Sequence, residues 1–129
     1  MFKGKNIFII SIIFIIIGGL GIWGFLFQNI DTKIKEDIES GKHVVLIFSA
    51  EWCSSCKKQK PIYQKVKREF PETNFYLIGP GLSKVEQKLL FKYYNVKGLP
   101  HFIVFKNGKE QMRTRGFKTE EKLKEVFSK

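Results

Sequence analysis

The sequence predicts an α/β domain, a mixed four-stranded sheet flanked by helices, behind a single N-terminal transmembrane helix. Three observations predict it. Residues 7–27 are uncharged, and only Ser11 among them is conventionally polar. Beyond that run, helical and strand periodicities alternate in the order α, βα, βα, ββα. Val44 to Ser49 is almost continuously apolar, as central strands covered on both faces are.

The apolar run comes first. As a helix, residues 7–27 would be roughly 30 Å long, the thickness of a bilayer core. Lys3 and Lys5 precede it, which by the positive-inside rule leaves residues 1–6 in the cytoplasm and sends 28–129 across, although Lys33 and Lys35 beyond the run weaken that signal. A cleaved signal peptide has a shorter apolar region and a small-x-small site, and Gly19-Leu20-Gly21 is followed by more apolar residues. An uncleaved anchor is therefore expected. No cysteine stands where lipid attachment would require one.

Residues 28–129 then form one domain. Ile30, Ile34 and Ile38 recur every four residues among charges, a short amphipathic helix that Gly41 ends. Val44 to Ser49 is a buried strand. A helix follows from about Cys53 to Phe70, with a kink expected at Pro61. Asn74 to Ile78 is the second strand, stopped by Gly79-Pro80-Gly81. Ser83 caps a helix reaching Tyr94, with Glu86 in the capping-box position. His101 to Phe105, the turn Lys106-Asn107-Gly108 and Lys109 to Arg115 read as a hairpin. Thr119 caps a last helix, with Leu123, Val126 and Phe127 on its inner face. Thirteen phenylalanines in the chain can help fill the core.

The chain's two cysteines stand three apart in Trp52-Cys53-Ser54-Ser55-Cys56, where the first strand gives way to a lysine-rich helix. A helix starting near Cys53 turns its free amides and the positive end of its dipole toward that sulfur and favours the thiolate. Cys56, one turn on, lies on the same face and can close a disulfide with it. A redox-active pair is thus the first reading. Zinc is a weaker one: it needs about four ligands, and His43 and His101, the only histidines, are far apart in the chain. A purely structural bridge is also weaker, because so short a loop removes little unfolded-chain entropy.

Lys and Arg number 23 against 12 Asp and Glu; without Lys3 and Lys5 the balance is 21 against 12, an excess of nine. The basic residues are spread through the helices rather than gathered in a stripe, which argues for a solvated face near anionic lipid or wall polymer and against nucleic acid.

Ala50-Glu51-Trp52-Cys53-x-x-Cys56-Lys57, Pro61 five residues beyond, Gly98-Leu99-Pro100, Phe105-Lys106-Asn107-Gly108 and Gly116 stand in one register, and in it the domain resembles thioredoxin. The resemblance covers nearly everything after the apolar run. It implies that Cys53 attacks and Cys56 resolves, that Pro100 is a cis-proline beside the disulfide, that Leu99 and Pro100 contact substrate, and that Trp52 shelters the site, through substrate contact or plain packing. There are three departures. Ile47 stands where the family carries a buried aspartate under the second cysteine. His101 replaces the threonine after the cis-proline, and is a candidate proton relay with a structural role as the alternative. The family's first strand would fall at Trp23 to Asn29, inside the apolar run, so that strand is expected to be missing.

The resulting expectation is a single-pass, membrane-tethered thiol-disulfide oxidoreductase with its domain outside the cytoplasm. Its partners would be exported protein dithiols and disulfides and an integral-membrane redox partner. It would need neither cofactor nor metal, bind no nucleic acid and act as a monomer. The alternative is a non-catalytic binding or assembly subunit of a membrane complex. Ser54-Ser55 is neither the Gly-Pro of reductive thioredoxins nor the Pro-His or Gly-His of strong oxidants, so the redox direction is open.

Overall fold

The structure is a computed structural model that describes residues 29–129. The expected cytoplasmic N-terminus and membrane span, 1–6 and 7–27, lie outside the described residues; among the described residues no helix is long and apolar enough to cross a membrane. The elements are α1 (Ile30–Glu39), β1 (Val44–Phe48), α2 (Ser54–Val66), a 3-10 turn (Lys67–Glu69), β2 (Asn74–Ile78), α3 (Lys84–Tyr93), β3 (His101–Lys106), β4 (Lys109–Arg115) and α4 (Glu120–Phe127). Ile34 to Lys129 form one compact unit.

The described residues form one four-stranded sheet in the order β2-β1-β3-β4. β1 runs parallel to β2 and antiparallel to β3, and β3 pairs antiparallel with β4, so the sheet is mixed, as expected. All five residues of β1 are buried, which explains why its sequence shows no alternation. Val45 and Ile47 of β1 meet Phe102 and Val104 of β3 in the main core, which Tyr63 and Val66 of α2 and Leu123, Val126 and Phe127 of α4 complete. Each such side chain stabilises the fold by about 1.5–3 kcal/mol through burial. Phe127 sits edge-on to Phe70, Phe75 and Phe102. On the opposite face Phe48 packs against Phe91, Tyr94 and His101.

Element ends follow local chemistry. Ser83 and Glu86 form the capping box on α3, and Thr119 accepts from the Lys122 amide to cap α4. Gly41, at φ 80°, ends α1: its amide donates to Ile38 O and that of Lys42 to Asp37 O, the two bonds of a Schellman close. Asn95 ends α3 in the same way, with its amide on Lys92 O and that of Val96 on Phe91 O. Asn107 and Gly108 both have positive φ and make the tight hairpin turn.

Several boundaries differ from expectation: the helix after Ser83 ends at Tyr93, the strand from His101 reaches Lys106, and two differences matter more. The helix predicted to reach Phe70 is α-helical only to Val66 and then tightens into the 3-10 turn; its α-helical stretch runs unbroken past Pro61. β1 ends at Phe48 rather than Ser49, whose amide donates to Ile78 O as the chain turns toward the site. Gly79 is required beside it, because a Cβ there would strike the Ser49 carbonyl.

Candidate functional site

The site is built from the ends of the two inner strands. β1 leads into Ala50–Cys53, and the loop Gly98–Pro100 leads into β3; Phe48 and His101, at these ends, are register partners. Cys53 is the N-cap of α2 rather than its first residue: its sulfur accepts from the Cys56 amide at 3.2 Å. The Cys53 amide donates to Ala50 O at 3.2 Å, which closes the turn entering the helix. Cys53 and Cys56 are joined as a disulfide, with Cα atoms 5.2 Å apart.

Both cysteines are buried and cluster with Ala50, against which Leu99 packs. The Leu99–Pro100 peptide is cis, and the Pro100 carbonyl accepts from the Gly116 amide at 2.8 Å. Trp52, beside the disulfide in the chain, is 81% exposed. A large aromatic left in water next to a buried reactive group is unusual for a packing residue. The structure thus brings Cys53, Cys56 and Leu99 into contact, and holds Trp52 and Pro100 beside them in the chain.

His101 follows Pro100 as the first residue of β3. Its ring is buried on the α3 face of the sheet, edge-on to Phe48, with Nε2 3.4 Å from an Arg113 guanidinium nitrogen. Arg113 is itself held by Glu110 and by the Tyr94 carbonyl. Burial, then the Arg113 charge, push the His101 pKa down, and the Gly98 carbonyl opposes them. Ile47 lies in the main core at 2% exposure, where no carboxylate stands.

Sequence reading missed two features. Ser55 Oγ lies 3.6 Å from the Cys53 sulfur, a hydroxyl that a serine between the cysteines could have signalled. Beside Cys56 a cleft of about 370 Å³ is lined by Glu51, Lys57, Lys60 and Tyr63, three of them polar chains that look like ordinary surface in the sequence. Burial pushes the Tyr63 pKa up, so its phenol stays protonated at neutral pH. A solvated cleft with polar walls gives the Cys56 proton somewhere to go without a buried acid.

The family model for thioredoxin matches residues 26–129. This chain belongs to the thioredoxin family. It is 30% identical over 96 residues to a thioredoxin of Mycoplasma genitalium, covering 74% of this chain and 90% of that protein. It is 34% identical over 90 residues to thioredoxin-1 of Saccharomyces cerevisiae, covering 69% and 79%. In three dimensions it resembles Trxlp from Edwardsiella tarda with a TM-score of 0.67 at 20% identity, over 77% of this chain and 94% of that one. Membership together with the closed Cys53–Cys56 pair makes this thioredoxin-family protein a thiol-disulfide oxidoreductase. Its substrates are proteins that carry disulfides. The four-stranded mixed sheet with helices on both faces is the thioredoxin-like fold the sequence predicts.

Proposed function

We propose that the protein is a membrane-tethered oxidoreductase whose domain lies outside the cytoplasm and exchanges disulfides with exported proteins, working as a monomer and leaning toward reduction. The observation that carries the exchange reading is the Cys53 sulfur at the N-cap of α2, accepting the Cys56 amide. An amide and a helix dipole aimed at one sulfur stabilise negative charge there and not on its partner.

In the reducing direction, the Cys53 thiolate attacks one sulfur of a substrate disulfide; a Cys53–substrate bond forms and the substrate's other sulfur leaves as thiolate. Cys56 then loses its proton to water in the adjoining cleft and attacks the Cys53 sulfur. The second substrate thiolate leaves, and the Cys53–Cys56 disulfide is left behind. Two electrons pass to the substrate, and two protons follow from the two cysteines. The protein is then reset by a dithiol donor, for which an integral-membrane redox partner is the proposal. Trp52, Leu99 and Pro100 form the rim against which an extended substrate segment lies.

Tethering rests on the apolar run 7–27 and on Lys3 and Lys5. The reducing lean rests on Ala-Glu-Trp-Cys and Phe-Lys-Asn-Gly, which match thioredoxin, and places the potential between about −270 and −120 mV, nearer the former. Three experiments test the proposal. With Cys56→Ser, mixed disulfides should accumulate through Cys53; a protein that only binds would form none. On intact reduced cells, an impermeant thiol reagent should label Cys53, and labelling only after lysis would overturn the topology. Equilibration against glutathione and dithiothreitol buffers fixes the direction, and a potential at the oxidant end would reverse the lean.

A further inference from the structure

We infer that the outer face of α3 docks on an anionic lipid bilayer. The inference rests on the tethering reading above and assigns a surface which that reading leaves open.

Three large apolar side chains stand out from α3 at a four-residue spacing: Val85 is 68% exposed, Leu89 62% and Tyr93 63%. At about 100° per residue they form one stripe along the helix, roughly 12 Å from end to end. The core-facing side of the helix is separate, held by Leu90, with Tyr94 buried at the helix end. Lys84, Lys88 and Lys92 repeat at the same spacing and are all exposed, so a lysine stripe runs directly alongside the apolar one. At the far end Lys35 places its ammonium 4.9 Å over the Tyr93 ring. Isolated apolar residues on a surface need no explanation, but three in line bordered by cations do.

A bilayer suits this face better than a folded partner does. Exposed apolar side chains in a single row, flanked by lysines, match a bilayer interface, whose lipid adapts to them and whose headgroups meet the cations. Tyrosine prefers the headgroup level, and lysines beside apolar residues mark helices that lie in an anionic interface. Only Gln28 and Asn29 separate the apolar run from α1 in the sequence, so an anchored domain would stay within reach of the headgroups at high effective concentration. Docking also has a consequence for the site. Lys84, Lys88 and Phe91 share a groove with Trp52, so a lipid-bound α3 would hold the substrate rim at the membrane surface and favour disulfides presented there.

The test uses the full chain with the Cys53–Cys56 disulfide kept oxidised. A polarity-sensitive fluorophore is attached at Leu89→Cys or, as reference, at Lys109→Cys on β4. Each is mixed with phosphatidylcholine vesicles, with or without phosphatidylglycerol, that carry nitroxide-labelled lipid. Flotation reports anchoring independently of the fluorophore. The label at 89 should be quenched in anionic vesicles, and that quenching should be lost in high salt and in the K84Q/K88Q/K92Q variant. The label at 109 should remain unquenched. Flotation with both vesicle types but quenching at 89 no greater than at 109 would overturn the docking and leave the tether standing. Quenching at 89 in anionic vesicles without flotation on phosphatidylcholine would support the docking and remove the tether. Lipid-independent, concentration-dependent self-quenching at 89 would mean a second copy covers the face, and would also overturn it.

Discussion

The Cys56 amide and the Cys53 sulfur lie 3.2 Å apart, with the amide donating, so the residue proposed to resolve the exchange would also stabilise the proposed nucleophile through its backbone. In the reduced protein the two thiols should therefore differ. Iodoacetamide at neutral pH should alkylate Cys53 at least about ten times faster than Cys56, as expected for a sulfur at a helix N-terminus beside a buried one. Equal rates by mass spectrometry would remove the asymmetry. Ser55→Ala, which deletes the hydroxyl 3.6 Å from the Cys53 sulfur, should slow that alkylation. It should also lower the reduction potential by about 20 mV, the equivalent of one modest hydrogen bond to the thiolate.

Ile47→Asp restores a carboxylate at a position that the main core encloses. Because Ile47 is 2% exposed among Val45, Tyr63, Val66 and Phe102, the change should destabilise the domain by about 2–4 kcal/mol, read from urea unfolding. If proton loss from Cys56 limits resolution, the same variant should resolve a mixed disulfide faster in stopped flow. An unchanged rate in a folded variant would show that the cleft beside Cys56 already suffices.

Stability should depend on pH through the histidines. His101 and His43 are both held below the ordinary value of 6.5, mainly by burial, with Arg113 adding to the first and Lys106 to the second. The unfolded chain then binds protons that the folded chain refuses. Their stabilising contribution is complete above about pH 6.5 and is lost as pH falls through the folded values. Urea midpoints should decline from pH 7.5 toward pH 5.5, and His101→Asn should flatten part of that slope. A slope identical in the variant would assign the whole effect to His43.

Asp37 is the buried polar hub of the structure. Its carboxylate accepts from Lys42 at 2.7 Å, Asn74 at 2.9 Å and Tyr76 at 2.5 Å, which ties α1 to β2. Burial, then the hydrogen bond to Asp37 and its charge, push the Tyr76 pKa well up. Asp37→Ala leaves those donors without their acceptor and should destabilise the domain by about 2–4 kcal/mol. Activity per folded molecule should not change, since none of these residues touches the disulfide cluster. A loss of turnover without a loss of stability would contradict this structural role.

What could be read in the sequence was local. Ser83 with Glu86, Thr119 before its helix and Asn107-Gly108 between strands each satisfy backbone groups within a few residues, so their meaning survives without the fold. Cys53 and Cys56 are legible for the same reason. Asp37 is not, because its partners Asn74 and Tyr76 are 37 and 39 residues away and it looks like one more charge on an amphipathic helix. The same holds for Gln59, which is buried and grips both backbone groups of Lys118. The place of His101 next to Pro100 is visible in the sequence, but the contacts of its ring with Phe48 and Arg113 depend on strand alternation and are not. Side-chain direction across a sheet has to be known before a neighbour in sequence counts as a neighbour in space.

The register pair Phe48 and His101 joins the two strand ends from which the halves of the site extend. One half carries the disulfide and the other carries Leu99 and Pro100, and the ladder between β1 and β3 holds the gap between them. Such a tool has a fixed jaw. On the proposed reading, a substrate lying along Leu99 and Pro100 would do the bending, its sulfur arriving on a segment already extended or able to become so. Selectivity on that reading would come from the pliancy of the substrate more than from its sequence, with a disulfide on a chain still searching for its fold reached more readily than one locked inside a finished fold.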